Sequence, residues 1–195
     1  MPVVVIVPVK SFRGGKRRLA GALSDEQRQH LGRRLAAHVA ATVAGVGLTP
    51  LIVTADPEVA MWATRSAYPS LPDPAMGLDA AAAAGVAWAG GSASPWIVLH
   101  GDLPLLTSGD VAALATIVDE GGSALAPSSD GGTSAIASTS TTFDFAFGVA
   151  SFHRHLARLG SPTIVVRTGL CLDVDSPVDL AAVSRMVSWV AGASR

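Results

Sequence analysis

Cysteine is nearly absent from this chain. A single thiol, Cys171, stands among 195 residues, so no internal disulfide can form, and a chain of this length closes a core without one or a structural metal. An excess of one charge is missing too. Fourteen Lys and Arg face fifteen Asp and Glu for a formal net charge of −1, and no block of like charge is present to neutralise a polyanion or an anionic lipid surface. Neither nucleic acid nor a membrane is expected as a partner. Long apolar runs are also lacking, although 49% of residues are hydrophobic and only 15% charged. The uncharged stretch from Ala80 to Gly101 is cut by Gly90, Gly91, Ser92, Ser94 and Pro95 into pieces shorter than the roughly 20 apolar residues that a bilayer needs. No basic segment precedes the apolar start, Pro8 interrupts it and Lys10 follows, which is not the layout of a signal peptide. The expectation is a soluble, cytoplasmic protein of one domain over residues 1–195, with a homodimer left open.

What is present is a strand–helix alternation. Val3 to Val7 is continuous and β-branched, as in a strand buried on both faces of a parallel sheet. Ser24-Asp25-Glu26-Gln27 reads as a capping box before a helix with Leu31, Leu35, Val39 and Val43 on its apolar face. Leu51 to Val53 is a second strand, Asp56-Pro57 a helix start, Leu78 to Ala89 an alanine-rich helix and Trp96 to Leu99 another strand. A helix from Ser108-Gly109-Asp110 towards Asp119 follows, then a Ser/Thr/Gly-rich stretch in which Ser134 to Ala137 reads as an edge or antiparallel strand. A helix from Ser151 to Leu159, strands at Thr163–Val166 and Leu170–Leu172, and a helix opening at Pro177 complete the pattern. Such alternation implies crossover connections and an α/β, mostly parallel, Rossmann-like three-layer αβα architecture.

In open sheets of this kind ligands bind beyond the carboxyl ends of the strands. Three such places carry charge. After the first strand, Lys10, Lys16 and Arg18 surround Gly14 and Gly15, a basic, glycine-containing loop suited to a polyphosphate, although the Gly-Lys-Ser/Thr ending of a Walker A loop is lacking. Asp102 follows the Trp96–Leu99 strand in Gly101-Asp102-Leu103-Pro104, where it either caps a turn or holds a hard cation such as Mg²⁺. Asp173 and Asp175 alternate around Val174, so in extended chain their carboxylates share a side and repel unless a cation lies between them. The competing reading makes Asp175 a helix cap before Pro177. Asp102, Asp173 and Asp175 together would suit one or two Mg²⁺ ions beside the basic loop, as nucleotidyl transfer requires. Asp130 to Ser134 and Phe147 to Ser151 look suited to a small anion, with Ser151 equally a plain helix cap. His153 and His155 fall on different helical faces; with His30, His38 and His100 they read as surface or packing residues.

Taken in order, Pro8-Val9-Lys10 with Lys16 and Arg18-Leu19, Gly77-Leu78-Asp79-Ala80-Ala81, Gly101-Asp102-Leu103-Pro104, Gly131-Gly132-Thr133, Phe147-Gly148 with Ser151 and His155, and Asp173-Val174-Asp175-Ser176-Pro177 resemble the CofC/FbiD guanylyltransferases. The resemblance spans nearly the whole chain. It implies a nucleotide-diphospho-sugar transferase-like fold, related to the MobA-like molybdopterin nucleotidyltransferases. It also implies transfer of GMP from GTP to phosphoenolpyruvate or 2-phospho-L-lactate, with release of pyrophosphate, in making the deazaflavin coenzyme F-420. By position, Lys10, Lys16 and Arg18 would face the GTP phosphates and serve catalysis, and Gly77, Leu78 and Asp79 would lie near the nucleotide. Asp102, Asp173 and Asp175 would bind Mg²⁺, while Thr133, Gly148 and Ser151 would hold the phosphorylated acid. Asp79 replaces the family's usual Asn, and Val149 and Ala150 stand where proline or acidic residues are common. The alternatives are the same fold with another nucleotide or acceptor, and a nucleotide-binding regulatory protein without turnover; the latter has no use for three clustered carboxylates.

Overall fold

A computed structural model describes residues 2–91 and 94–191; of the expected chain break, Ser92 lies outside them. The elements run β1 (Val4–Pro8), α1 (Asp25–Gly45), β2 (Thr49–Thr54), α2 (Pro57–Arg65), β3 (Ser70–Pro72), α3 (Leu78–Gly90), β4 (Trp96–Leu99), α4 (Ser108–Asp119), β5 (Ala124–Pro127), β6 (Thr133–Ser138), α5 (Ser151–Leu159), β7 (Thr163–Ile164), α6 (Thr168–Cys171), α7 (Pro177–Ser184) and α8 (Ser188–Ala191). The sheet order is β3-β2-β1-β4-β6-β5-β7. β6 runs antiparallel to both β4 and β5, while the other pairs are parallel. The segment Ser134–Ala137 is thus antiparallel but interior, with a partner on each side. Its small side chains hide this, because buried Ala and Ser carry no strong strand signal.

Alternation along the central strands builds two apolar layers. Val5 and Val7 of β1, with Ile97 and Leu99 of β4, join Val39 and Val43 of α1 and Val111 and Leu114 of α4 on one face. Val4, Ile6, Trp96 and Val98 face the alanine-rich α3 and Phe145 on the other. α3 lies so close to the sheet that a Cβ on Gly85 would come within 2.4 Å of Ile6 Cγ2. A third cluster joins Leu19, Leu31 and Leu35 near the start of α1 to Val174, Leu180 and Val183 near the end of the chain. This cluster fixes the site, because it ties the segment after Lys16 to the segment between Asp173 and Asp175.

Three local expectations change. Leu170–Leu172 is not a strand: Thr168–Cys171 forms a helical turn, with the Leu170 and Cys171 amides donating to Arg167 O at 2.9 and 3.0 Å. A Cβ on Gly169 would meet the Asp110 carboxylate at 2.0 Å, so glycine admits this close approach; a three-residue apolar run cannot report it. The Thr163–Val166 strand shortens to Thr163–Ile164. β3 and β5 are strands of three and four residues without sequence alternation to reveal them. Among the described residues no helix is long and apolar enough to cross a membrane.

Candidate active site

A cavity of about 340 Å³ opens where β1 and β4 end, lined by Val9, Lys10, Lys16, Leu78, His100, Gly101, Asp102, Asp173 and Asp175 among others. Its centre is an ion cluster. Lys16 donates to Asp102 and, at 2.9 Å, to Asp175, while Arg18 lies 3.7 Å from Asp175 from the solvent side. Burial opposes the ammonium charge, yet the two carboxylates outweigh it and raise Lys16 above its ordinary range. Burial would likewise raise Asp102, but Lys16 and His100 hold it below the usual carboxylate range. Asp173 has less help. Burial first, then the charge of Asp102 and, more weakly, that of Asp175 push it up to about 6, against its own backbone amide, which favours the carboxylate.

The backbone explains the arrangement. Val174 is fully buried in the third apolar cluster, which forces its neighbours Asp173 and Asp175 towards the cavity. Lys16 holds a left-handed backbone, φ 51°, ahead of the short turn Arg17–Leu19, and Leu19 is fully buried in the same cluster. The helix-cap reading of Asp175 does not hold: Ser176 caps α7 in a capping box with Asp179, so the Asp175 carboxylate is free for Lys16. Oxygens of Asp102 and Asp173 and one ring nitrogen of His100 all lie within 4.8 Å of one another. With the half-buried Asp173 carboxylate raised by its acidic neighbours, this donor set fits a divalent cation.

Lys10 is exposed at the rim, and Leu78 lines the cavity at the start of α3, whose first residue follows Gly77 at φ 98°. Asp79 turns elsewhere: its Oδ1 accepts the Phe147 amide at 2.7 Å. The remaining predicted residues form a second group. Thr133 and Ser151 are each about 1% exposed and their hydroxyl oxygens lie 3.3 Å apart. The Ser151 amide donates to Gly148 O at 3.0 Å, and Gly148 holds φ 107°. Ser151 is not the cap of α5; Ala150 occupies that position in a left-handed backbone without a capping side chain, leaving the Ser151 hydroxyl to Thr133. The Asp130 turn is closed on itself, since Asp130 accepts from Ser128 and, at 2.9 Å, from the Gly132 amide.

Residues 3–183 match the family described as Guanylyl transferase CofC like. The chain belongs to that family. A phosphoenolpyruvate guanylyltransferase of Chloroflexus aggregans is 40% identical over 164 residues, 78% of this chain and 80% of its own. A 2-phospho-L-lactate guanylyltransferase of Methanothrix thermoacetophila is 30% identical over 92% of this chain and 81% of its own. The fold is that of the nucleotide-diphospho-sugar transferases: a structure from Desulfovibrio desulfuricans G20 described as one superposes with a TM-score of 0.79 at 14% identity, covering 95% of this chain and 88% of that one.

In this CofC-like chain three residues join the site that sequence reasoning set aside or missed. His100 is in the acidic cluster; its Nε2 is buried without a hydrogen-bond partner among the described residues, and its ring lies 5.4 Å from that of Phe147. Arg28 lines the cavity, with Nε buried and unpaired. His155 is wholly buried between the Phe147 ring and Thr133. The position of His100 immediately before Gly101-Asp102 was the available signal for the first; helical spacing carried none for His155.

Proposed function

We propose that the chain transfers the guanylyl group of GTP to phosphoenolpyruvate, releasing pyrophosphate, in a Mg²⁺-dependent reaction. A phosphate oxygen of the acid bonds to the α-phosphorus of GTP, the bond from that phosphorus to the bridging oxygen of the β-phosphate breaks, and pyrophosphate leaves with the electron pair. The acceptor oxygen is ionised at neutral pH, so no general base is needed. The observation that carries this reading is Asp173, raised by burial and by the neighbouring carboxylates, beside the Lys16–Asp102–Asp175 cluster in the cavity of a CofC-like chain.

Asp102, Asp173 and Asp175 would hold Mg²⁺. When bound, the cation neutralises charge that grows on the departing pyrophosphate. Lys16, Arg18 and Lys10 bind the triphosphate from the basic loop beside these carboxylates, and Gly77 and Leu78 border the nucleotide. Thr133, Ser151 and the Gly148 turn hold the acid, in keeping with a helix N-terminus left open at Ala150. Phosphoenolpyruvate is preferred to 2-phospho-L-lactate because the relative at 40% identity bears its name. In this reading the product is the diester precursor of coenzyme F-420. Purified protein with Mg²⁺ should release pyrophosphate from GTP and phosphoenolpyruvate, with a product of matching mass. Activity with ATP, CTP or UTP, or with 3-phosphoglycerate, at an equal rate would overturn the assignment.

A further inference from the structure

His155 occupies a box of aromatic rings, with Phe147, Phe143 and Phe145 at centroid distances of 4.9, 6.0 and 6.4 Å. Its two ring nitrogens meet different partners, and those partners determine where the proton resides. The Ala146 amide points at Nε2 from 2.9 Å. A backbone N–H can only donate, so Nε2 accepts and carries no proton. In the neutral ring the proton therefore belongs to Nδ1, which lies 2.9 Å from Thr133 Oγ1. Neutrality follows from the box itself: burial first, and the Arg158 charge second, bring the group down to about 4. The bond thus runs from Nδ1–H to the threonine oxygen. With that oxygen engaged as an acceptor from the ring side, the hydroxyl proton of Thr133 is turned away from the ring.

An apolar side chain would fill this box but strand the Ala146 amide and leave the Thr133 hydroxyl free to rotate. The imidazole prevents both, and it joins three segments: the 143–147 stretch, β6 through Thr133, and its own helix α5. We propose that His155 is a positioning residue that acts through Thr133, fixing that hydroxyl as a donor towards a phosphorylated carboxylic acid bound against Thr133 and Ser151. The inference rests on the reading of those two residues as the acceptor site.

Nitrogen-15 NMR of the imidazole gives a test independent of turnover: Nδ1 should show the shift of a protonated nitrogen and Nε2 that of a bare one. The reverse tautomer overturns the proposal. Two variants then separate positioning from packing. His155→Asn keeps an amide N–H where Nδ1 stands, whereas His155→Gln extends to the Nε2 position and loses the donor. His155→Gln should raise the phosphoenolpyruvate KM, and its Kd from chemical-shift titration, about tenfold with the GTP KM within about twofold; His155→Asn should stay within about threefold. In a Thr133→Val background, His155→Gln should add less than about twofold. Equal losses in both variants that follow their melting temperatures, or the full tenfold loss persisting without Thr133, would overturn it. Wild type that fails to turn over but keeps this ordering of Kd refutes the proposed reaction alone; normal turnover with a flat Kd series refutes this inference alone.

Discussion

The two halves of the site are built on opposite principles. At the ends of β1 and β4, two carboxylates meet one ammonium and a third lies beside Asp102, and the arrangement is held from outside by the burial of Leu19 and Val174. Around Thr133, hydroxyls, an imidazole and a backbone amide hold one another without net charge. The first region has electrostatic work left to do, so its geometry should respond to cations and phosphates. The second is ordered by its own hydrogen bonds before any ligand arrives, so it should act as a fixed template. Phe147 touches both: its ring meets His100 and His155, and its amide is held by Asp79.

The comparison breaks most sharply at Asp102. Asp102→Asn removes a charge that Lys16 uses and that the proposed cation would use, and turnover should fall about a thousandfold, a loss of about 4 kcal/mol, while circular dichroism stays native. Near-normal rates at limiting Mg²⁺ would return Asp102 to turn capping. Next in size is Val174→Ala, which should cost about 2 kcal/mol of stability in urea titration and loosen cation binding by calorimetry without changing acceptor affinity. A change confined to the acceptor would contradict the view that Val174 aims its two neighbours. On the neutral side, Ser151→Ala should raise the acceptor KM about tenfold and leave that of GTP unchanged. If GTP suffers equally, the two halves are not separate.

Smaller effects sharpen the picture. Asp173 is raised to about 6 in the folded chain, so the folded state holds its proton more tightly than the unfolded one does. Its contribution to stability is therefore present at the lower end of the carboxylate range and lost as pH rises through about 6. Asp173→Asn should raise the melting temperature of the metal-free protein at pH 7 by a few degrees, about 1 kcal/mol after discounting for its partial exposure, and leave it unchanged near pH 4. Scanning calorimetry at the two pH values checks the sign. Least of all, Asp79→Asn retains a side-chain oxygen for the Phe147 amide and should change stability by less than about 0.5 kcal/mol, whereas Asp79→Ala should cost more. Equal losses in thermal melts would remove Asp79 from the Phe147 anchor.

Much of this was legible in the chain. β1, β4 and the capping box at Ser24 follow from runs and caps that are local in sequence, as does the alternation of Asp173, Val174 and Asp175. The ordered motifs then carried the fold and the family. What could not be read depends on contacts across the fold. The interior place of β6 is set by pairing on both sides; α6 depends on the fit of Gly169 against Asp110; and Asp79 meets Phe147 across 68 positions of sequence. His155 shows the same limit, for its partners are an amide and a hydroxyl that helical spacing does not reveal.

The reversed strand has a consequence for exchange between relatives. Because β6 runs against β4, it begins at the ligand edge, where Ala135 pairs with Leu99 and the His100 amide donates to Ser134 O; the chain descends, and the stretch that returns to α5 brings back Phe147, Gly148 and Ser151. Every residue of the neutral half therefore falls within residues 133–155, one uninterrupted length of chain, whereas the charged half is gathered from three separate places. Under the proposed function, selectivity for the acid would be modular: grafting that single length from a relative with a different acceptor should transplant the pocket and leave the charged half of the host in place.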